Sequence, residues 1–475
     1  IAQELNLTHA HVQGVASFYS FFHETPRGQY DILFSDNIIE HMQGKQDLMA
    51  YMMRKLGVEL GKPRADGRVT IANTSCIGMS DQGPAALVNG YPVTRLSKTR
   101  INKMVELIES QVPLTQWPKE LFQVKHQLQR QHLLLGEPFE PGSAIKFLLE
   151  KGPEATLAEI GKSSLRGCGG AGFKTETKWR LCRNAPAEER YVICNADEGE
   201  PGTFKDRVIM QDYADVMFEG MTICGGVIGA RKGFLYLRGE YRYLLPTLEA
   251  TLQRRRQQGL LGDQILGHPN LSFDIEIHLG AGAYICGAEM ALIESLEGQR
   301  GVPWKRPPPF PVTQGYLNKP TVVNNVETLS LAAKVLVYGS ERFAQLGTAL
   351  SKGTKLLSIS GDCDKPGIYE FPFGVTVREV LRACGANETQ AVQISGPAGY
   401  CIGEGEFNRK LCFDDLNTTG SFMVFNRTRD MLAIVQNYAS FFVHESCGFC
   451  TPCRVGTSLI ANLVEKVAKG NGTKA

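Results

Sequence analysis

Apolar positions over the first 112 residues switch between two periods. Residues 12–22 (VQGVASFYSFF) repeat at helical spacing and read as a core helix. Residues 30–34 (YDILF) and 69–72 (VTIA) read as strands, a helix spans 46–56 between them, and 104–112 reads as a closing helix. That makes 1–112 a compact α/β unit. Residues 113–142 break the pattern: Pro113, Pro118, Pro138 and Pro141 bracket a basic, glutamine-rich stretch (QVKHQLQRQH), which reads as a linker draped over a neighbour. From 143 a helix leads to a glycine-rich run. Three strands follow, at 191–195 (YVICN), 234–238 (FLYLR) and 273–279 (FDIEIHL), each ending in a polar or glycine-rich turn. Strands alternating with helical stretches place an α/β domain at 143–345, with a site at the strand ends. Residues 350–428 carry shorter strands (355–360, 392–394) and form a small α+β domain. From 429 to 475 the chain is helical, with MLAIVQNYASFFVHESC followed by a second helix at 457–467.

The composition bounds the class without naming it. A chain of 475 residues is too long for one core. Fifty-one basic against 49 acidic residues give a net charge of +2, which excludes an electrostatic case for nucleic acid or a membrane surface. No apolar run reaches the roughly 18 residues of a membrane helix. No signal peptide is evident, although the chain opens on Ile1 rather than Met, so a removed leader stays open. Thirteen cysteines, an odd number scattered singly until Cys447, argue against a disulfide framework and for a reducing, cytoplasmic setting.

Three clusters carry chemistry. In 165–179 (LRGCGGAGFKTETKW), Gly167, Gly169, Gly170 and Gly172 fall together, flanked by Arg166, Lys174 and Lys178. Such a run lets backbone N–H groups crowd an oxygen-rich anion, and a helix starting near Phe173 adds its dipole. The alternative is a glycine-rich surface loop. The G-x-G-x-x-G spacing is literal, yet no Val/Ile strand precedes it, so it is not a classical Rossmann turn. After the strand at 191–195 come Asn195, Asp197, Glu198 and Glu200, which suit a ribityl or ribose hydroxyl array; Mg2+ and a solvated acidic turn compete. Cys447, Cys450 and Cys453 stand at C-x2-C-x2-C, which suits three corners of a 4Fe-4S cube better than zinc or free thiols. No fourth ligand is visible, and it is expected beyond Ala475 rather than at Cys401, Cys412 or His444.

The ordered motifs RGCGGAGF (166–173), NADEGEPGTFKDR (195–207), GAYICG (282–287), TVVNNVET (321–328) and ESCGFCTPCR (445–454) resemble the flavin-bearing NADH-oxidising subunit of complex I and its soluble relatives. The first 112 residues resemble the small thioredoxin-like subunit that accompanies it. Fusions of the two occur in the diaphorases of NAD-reducing nickel–iron hydrogenases and in NAD-dependent formate dehydrogenases.

The resemblance implies an α/β and α+β multidomain protein: a thioredoxin-like domain, an FMN- and NAD(H)-binding domain, a β-grasp-like domain and a helical iron–sulfur domain that is cut short at 475. It implies FMN on Gly167, Gly169, Gly170, Lys178, Asn195, Asp197, Asn324 and Asn325, at a pocket that Gly287 also borders. Glu198, Glu200, Tyr284 and Glu289 would face the dinucleotide, with Glu200 tuning hydride geometry, and Phe173 and Phe310 would stack on adenine. Two departures stand out: Ala288-Glu289 replaces the family's paired glutamates, and an extra proline in 305–311 leaves the pyrophosphate-side base open between Lys305 and Arg306. The relatives' 2Fe-2S ligand positions fall on Ser35, Glu40, Cys76 and Ser80, so no 2Fe-2S cluster is expected in the N-terminal domain. The expected function is that of an FMN-dependent NAD(H) oxidoreductase subunit passing electrons through one 4Fe-4S cluster. Its partners would be an iron–sulfur subunit and a hydrogenase module, with formate dehydrogenase, complex I or a flavin-free relay scaffold as alternatives. No nucleic acid or direct membrane contact is expected.

Overall fold

The computed structural model describes residues 1–303 and 307–472; Lys305 and Arg306 lie outside the described residues. The first unit holds α1 (His9–Ala16), β1 (Tyr30–Ser35), α2 (Ile38–Met42), α3 (Lys45–Leu56), β2 (Val69–Thr74), β3 (Ala86–Val88), β4 (Tyr91–Val93) and α4 (Lys98–Glu109). Its mixed sheet runs β2-β1-β3-β4, with Tyr30 paired in parallel to Val69 and Ile32 antiparallel to Val88. Ile32, Phe34 and Ile71 are buried against Met52 of α3 and Met104 of α4.

The expected core helix at 12–22 is different in the structure. α1 buries no residue, and the chain leaves it at Ser17 as an arm. Ser20 and Phe21 donate their backbone N–H groups to Gly282 and Ala281 of the next unit at 3.0 Å, and Tyr19 is buried beside Phe234 and Tyr236. The apolar stripe is real, but it belongs to an interface with the following domain.

The stretch read as a linker is also anchored. It contributes β5 (Leu128–Arg130) and α5 (Leu133–Gly136), whose leucines are buried. The central unit follows with α6 (Ser143–Ser163), α7 (Thr175–Asn184), β6 (Tyr191–Ala196), α8 (Lys205–Asp212), α9 (Ala214–Ile228), β7 (Lys232–Leu237), α10 (Leu245–Gln257), β8 (Asp274–Leu279), α11 (Glu289–Leu296), β9 (Thr321–Asn325), α12 (Val326–Tyr338) and α13 (Ser340–Ala344). Its sheet is wholly parallel, in the order β8-β7-β6-β9. Parallel sheets are covered on both faces, and α9 is correspondingly apolar nearly all round. A Cβ on Gly220 would stand 2.0 Å from the Leu329 carbonyl oxygen, so only glycine allows α9 this close to α12. A helix, α6, precedes the glycine run, which agrees with its not being a Rossmann turn.

The third unit comprises β10 (Thr354–Gly361), β11 (Gly367–Pro372), α14 (Val377–Cys384), β12 (Thr389–Ile394), β13 (Tyr400–Gly403) and β14 (Ser421–Asn426). Its sheet order is β13-β12-β14-β10-β11-β5, so the linker supplies the edge strand. The Glu370 carboxylate of β11 accepts the N–H groups of His132, Leu134 and Leu135 at 2.7–2.9 Å, which satisfies the start of α5. The chain ends in α15 (Met431–Glu445) and α16 (Thr451–Ala468). α16 starts before the expected 457 because Pro452 is admissible in a first helical turn, which puts Cys453 on the helix. Ile434 and Tyr438 seat α15 against Ile39 and Phe425. Among the described residues no helix is long and apolar enough to cross a membrane.

Candidate functional site

The chain proceeds from β6 to β7 and β8 on one side, whereas β9 is laid on the other side of β6. Such a reversal opens a crevice at the carboxyl ends of the two strands. Their last register pair here is Asn195 opposite Asn325. Two cavities, of about 290 Å³ and about 250 Å³, meet at this point and share Gly169, Asn195, Gly287, Ala288 and Asn325 as walls. They form one cleft with two lobes.

The smaller lobe is the glycine lobe, lined by Gly167, Gly170, Phe173, Lys178, Glu289 and Asn324. The loop closes on itself, with Gly167 N–H donating to the Phe173 carbonyl at 2.8 Å. Buried charge braces it from below: Lys355 Nζ donates to the Cys168 carbonyl at 3.1 Å and to Glu327 at 2.5 Å. Gly170 holds φ +136°, and its carbonyl accepts from Asn417 of the third unit at 2.7 Å. α7 begins at Thr175, two residues past the expected start, and has no side-chain cap. Lys178 Nζ pairs with Glu289 and donates to the Val323 carbonyl at 2.9 Å, while Asn324 Oδ1 accepts from the Trp179 indole at 2.8 Å.

The larger lobe is acidic. Asn195 Nδ2 donates to the Gly287 carbonyl at 2.8 Å, and Tyr284 hydroxyl donates to Glu200 Oε2 at 2.6 Å. Asn325 Nδ2 donates to Asp206 Oδ2 at 2.6 Å, and Lys205 Nζ reaches Asp206 at 2.6 Å. Glu198 differs from its neighbours. Its oxygens accept the Asp206 and Arg207 N–H groups at 2.8 and 3.2 Å and the Tyr241 hydroxyl at 2.9 Å, so it caps α8 from a distance. Among the described residues, four polar atoms around this lobe are shut off from solvent without a partner: Asp197 Oδ2, Glu200 Oε1, Thr203 Oγ1 and Thr419 Oγ1. Such atoms are costly to leave unsatisfied.

Burial pushes the Asp197 carboxyl up to about 8, against the opposing pull of Arg238. Burial likewise raises Glu200 to about 7, although the Tyr284 hydrogen bond opposes it. A raised carboxyl holds its proton in the fold after the unfolded chain has lost it, so its contribution to stability falls as pH climbs from about 4 to about 8. In protein stripped of ligands, Asp197→Asn is therefore expected to gain stability over the parent across that window and to hold a constant lead above it. Paired denaturation curves at pH 5 and pH 8.5 measure this; an equal difference at both would refute it.

Cys447 and Cys450 are half-buried on the turn between α15 and α16, and Cys453 is exposed in the first turn of α16. Among the described residues no three His, Cys, Asp or Glu side chains gather as they would round a single ion.

Most of the residues expected from the sequence converge on the cleft. Phe173 lines the glycine lobe yet is 49% exposed, and Phe310, at 57%, lies outside both lobes. Reasoning from sequence did not single out Lys205, Asp206, Thr203 or Thr419. The first three sit inside the 195–207 motif, which was their only signal, and Thr419 arrives from another domain with none.

Three families match consecutive parts of the chain: the thioredoxin-like [2Fe-2S] ferredoxin over 1–109, the Nuo51 FMN-binding domain over 160–334, and the NADH-ubiquinone oxidoreductase-F iron-sulfur binding region over 433–475. The NAD-reducing hydrogenase HoxS subunit alpha of Cupriavidus necator is 45% identical over 98% of this chain and 79% of its own length. The chain belongs to that family. An NADH-quinone oxidoreductase subunit of Aquifex aeolicus is 42% identical over 70% of the chain and 78% of its own length. A chain in the crystal structure of an air-oxidized NAD+-reducing [NiFe]-hydrogenase superposes with a TM-score of 0.93 at 45% identity, covering all of this chain and 82% of that one. In the H2-reduced state the TM-score is 0.95. This member of the family of hydrogenase alpha subunits is thus an oxidoreductase subunit with FMN-binding and iron–sulfur domains.

One expectation is corrected by these matches. The fit of residues 1–109 to the thioredoxin-like [2Fe-2S] ferredoxin family points to a 2Fe-2S cluster in the N-terminal domain, where none was expected. The expectation rested on counting thiols at four aligned positions, which presumes the ligand set. In the structure Cys76 is buried with its Sγ 3.8 Å from Ser80 Oγ, Ser35 Oγ accepts from Ile77 N–H at 3.3 Å, and Glu40 accepts from Ala85 N–H at 2.9 Å. These four positions hold one thiol, Cys76, and do not by themselves supply a full set of thiolates.

Proposed function

We propose that this chain is the flavin-bearing diaphorase subunit of an NAD-reducing hydrogenase, with the two-lobed cleft as its FMN and NAD(H) site. The observation that carries this reading is the set of solvent-shut oxygens of Asp197, Glu200, Thr203 and Thr419 without a partner among the described residues, all four residues lining the acidic lobe that adjoins the glycine loop. FMN, when bound, would accept one hydride, two electrons at once, and hand the electrons on singly, which joins a nicotinamide to iron–sulfur chemistry. Gly167, Gly169, Gly170 and Lys178 would hold the phosphate end, and Asn195, Asp197, Asn324 and Asn325 the ribityl hydroxyls. Glu200, fixed by Tyr284, would orient the nicotinamide, with Glu289 beside it and Phe173 and Phe310 flanking the adenine. Glu198 supports the site by starting α8 under it. Cys447, Cys450 and Cys453 would hold three corners of a 4Fe-4S cluster. Its partners are an iron–sulfur electron-transfer subunit and a hydrogenase module, and thirteen cysteines with no disulfide among the described residues fit a cytoplasmic setting.

We read the units as 1–112, 143–345, 350–428 and 429–475, the third being β-grasp-like because α14 lies between the antiparallel pair β10/β11 and strands β12 and β14. The deciding experiment is an absorbance spectrum of the purified chain: a flavin band bleached by NADH and restored by an artificial acceptor. Cluster absorbance without flavin would defeat the reading. Lys178→Ala, which removes one charge-assisted contact, is expected to weaken FMN affinity about tenfold, as measured by fluorescence titration.

A further inference from the structure

The joint between the cysteine turn and the cleft has a single residue at its centre. The last turn of α15 presents Phe441 and Glu445, four residues apart and so on one face, to Tyr284. Phe441 packs edge-on against the Tyr284 ring, with centroids 5.0 Å apart. One Glu445 oxygen accepts the Tyr284 backbone N–H at 3.1 Å, and the other accepts the Ser75 hydroxyl from the thioredoxin-like unit. Tyr284 in turn donates its hydroxyl to Glu200 at 2.6 Å. Glu445 stands two residues before Cys447 and so ties three units together at the start of the cysteine turn.

Tyr284 opens a single 3-10 turn just after Gly282, outside any strand ladder, so its N–H has no sheet neighbour to satisfy it. A carboxylate acceptor gives that N–H a charge-assisted bond, stronger than a carbonyl would give. We propose that Glu445 is a positioning residue: it fixes the Tyr284 turn, and Glu200 through it, in register with the cysteine turn. This rests on the proposed function, in which electrons pass from the cleft to the cluster. A plain structural staple would affect stability alone; a register device affects the passage between the two sites.

The test uses the full chain as Glu445→Ala and Glu445→Gln. In protein stripped of flavin, amide exchange of the peptide containing Tyr284 is expected to quicken by about tenfold in Glu445→Ala. Glu445→Gln, which keeps an acceptor oxygen, should return it to within about threefold of the parent, which excludes unfolding as the cause. In rapid mixing of the loaded protein with NADH, flavin bleaching in Glu445→Ala should slow because Glu200 loosens with Tyr284, and the later bleaching of the cluster should slow by about tenfold more than the flavin phase does. Unchanged protection at Tyr284, or flavin and cluster phases slowed by one common factor, overturns the proposal. A parent protein whose flavin ignores NADH would instead overturn the proposed function, and the exchange measurement would still decide the grip of Glu445 on Tyr284.

Discussion

Replacing Gly170 by valine is expected to strip the protein of FMN. Gly170 holds φ +136°, a backbone region that side-chain-bearing residues rarely adopt. Its Cβ would stand 3.3 Å from Thr419 Cγ2, so the added branches press on a residue whose hydroxyl is one of the unpartnered atoms of the cleft. Either the loop distorts and breaks the Asn417 bond to the Gly170 carbonyl, or the branches enter the cavity. Strain at such a position costs about 1–3 kcal/mol before any ligand contact is lost. Together with lost contacts, that lowers affinity by well over tenfold, since about 1.4 kcal/mol is one decade. Flavin content after gel filtration measures it, with Gly170→Ala expected to fall between valine and the parent. Full flavin occupancy in the valine variant would remove this loop from the site.

How far the residues announce this arrangement varies by element. β6, β7 and β8 were legible because each is a short apolar run that ends at a polar or glycine turn. β9 was not, because TVVNN is brief and its importance comes from pairing across to β6, where Asn325 meets Asn195. No local signal encodes that strand order. The clustering of Asp197, Glu198 and Glu200 read correctly as a place where carboxylates are expensive, yet their division of labour did not. Glu198 caps a helix that starts seven residues later, while Asp197 and Glu200 each leave an oxygen unpartnered. Residues 12–22 show the same limit: an apolar stripe declares that it will be buried and is silent about which domain buries it. Thr419, Asn417 and Glu445 reach the cleft from more than 100 residues beyond the Tyr284 turn, through domain packing alone.

The same packing makes a second expected result large. Asp81→Ala is expected to destabilise the joint between the thioredoxin-like and central units by about 3–5 kcal/mol, the range for stranding one partner of a buried ion pair. Arg207 is wholly buried on α8, and its Nη2 contacts both Asp81 oxygens at 3.0 and 3.2 Å. Among the described residues its Nε and Nη1 have no partner, so the guanidinium leans on Asp81 for its counter-charge. Burial alone would lower the Arg207 pKa, and the Asp81 carboxylate together with Tyr243, Tyr241 and Glu198 more than reverses that. Asp81 also accepts from Gln82 at 3.1 Å and Gln127 at 3.2 Å, so its loss leaves several groups short at once. Because the chain has several units, one global unfolding energy is ill-defined, and the informative measurement is urea-dependent proteolysis that reports release of the N-terminal unit. Asp81→Asn keeps the shape without the charge and should fall between alanine and the parent. The pair Asp81→Ala with Arg207→Met should recover much of the loss, since an apolar side chain of similar length removes the stranded charge. If Asp81→Ala released the unit at the parent's urea concentration, the buried pair would carry no weight in holding the two units together.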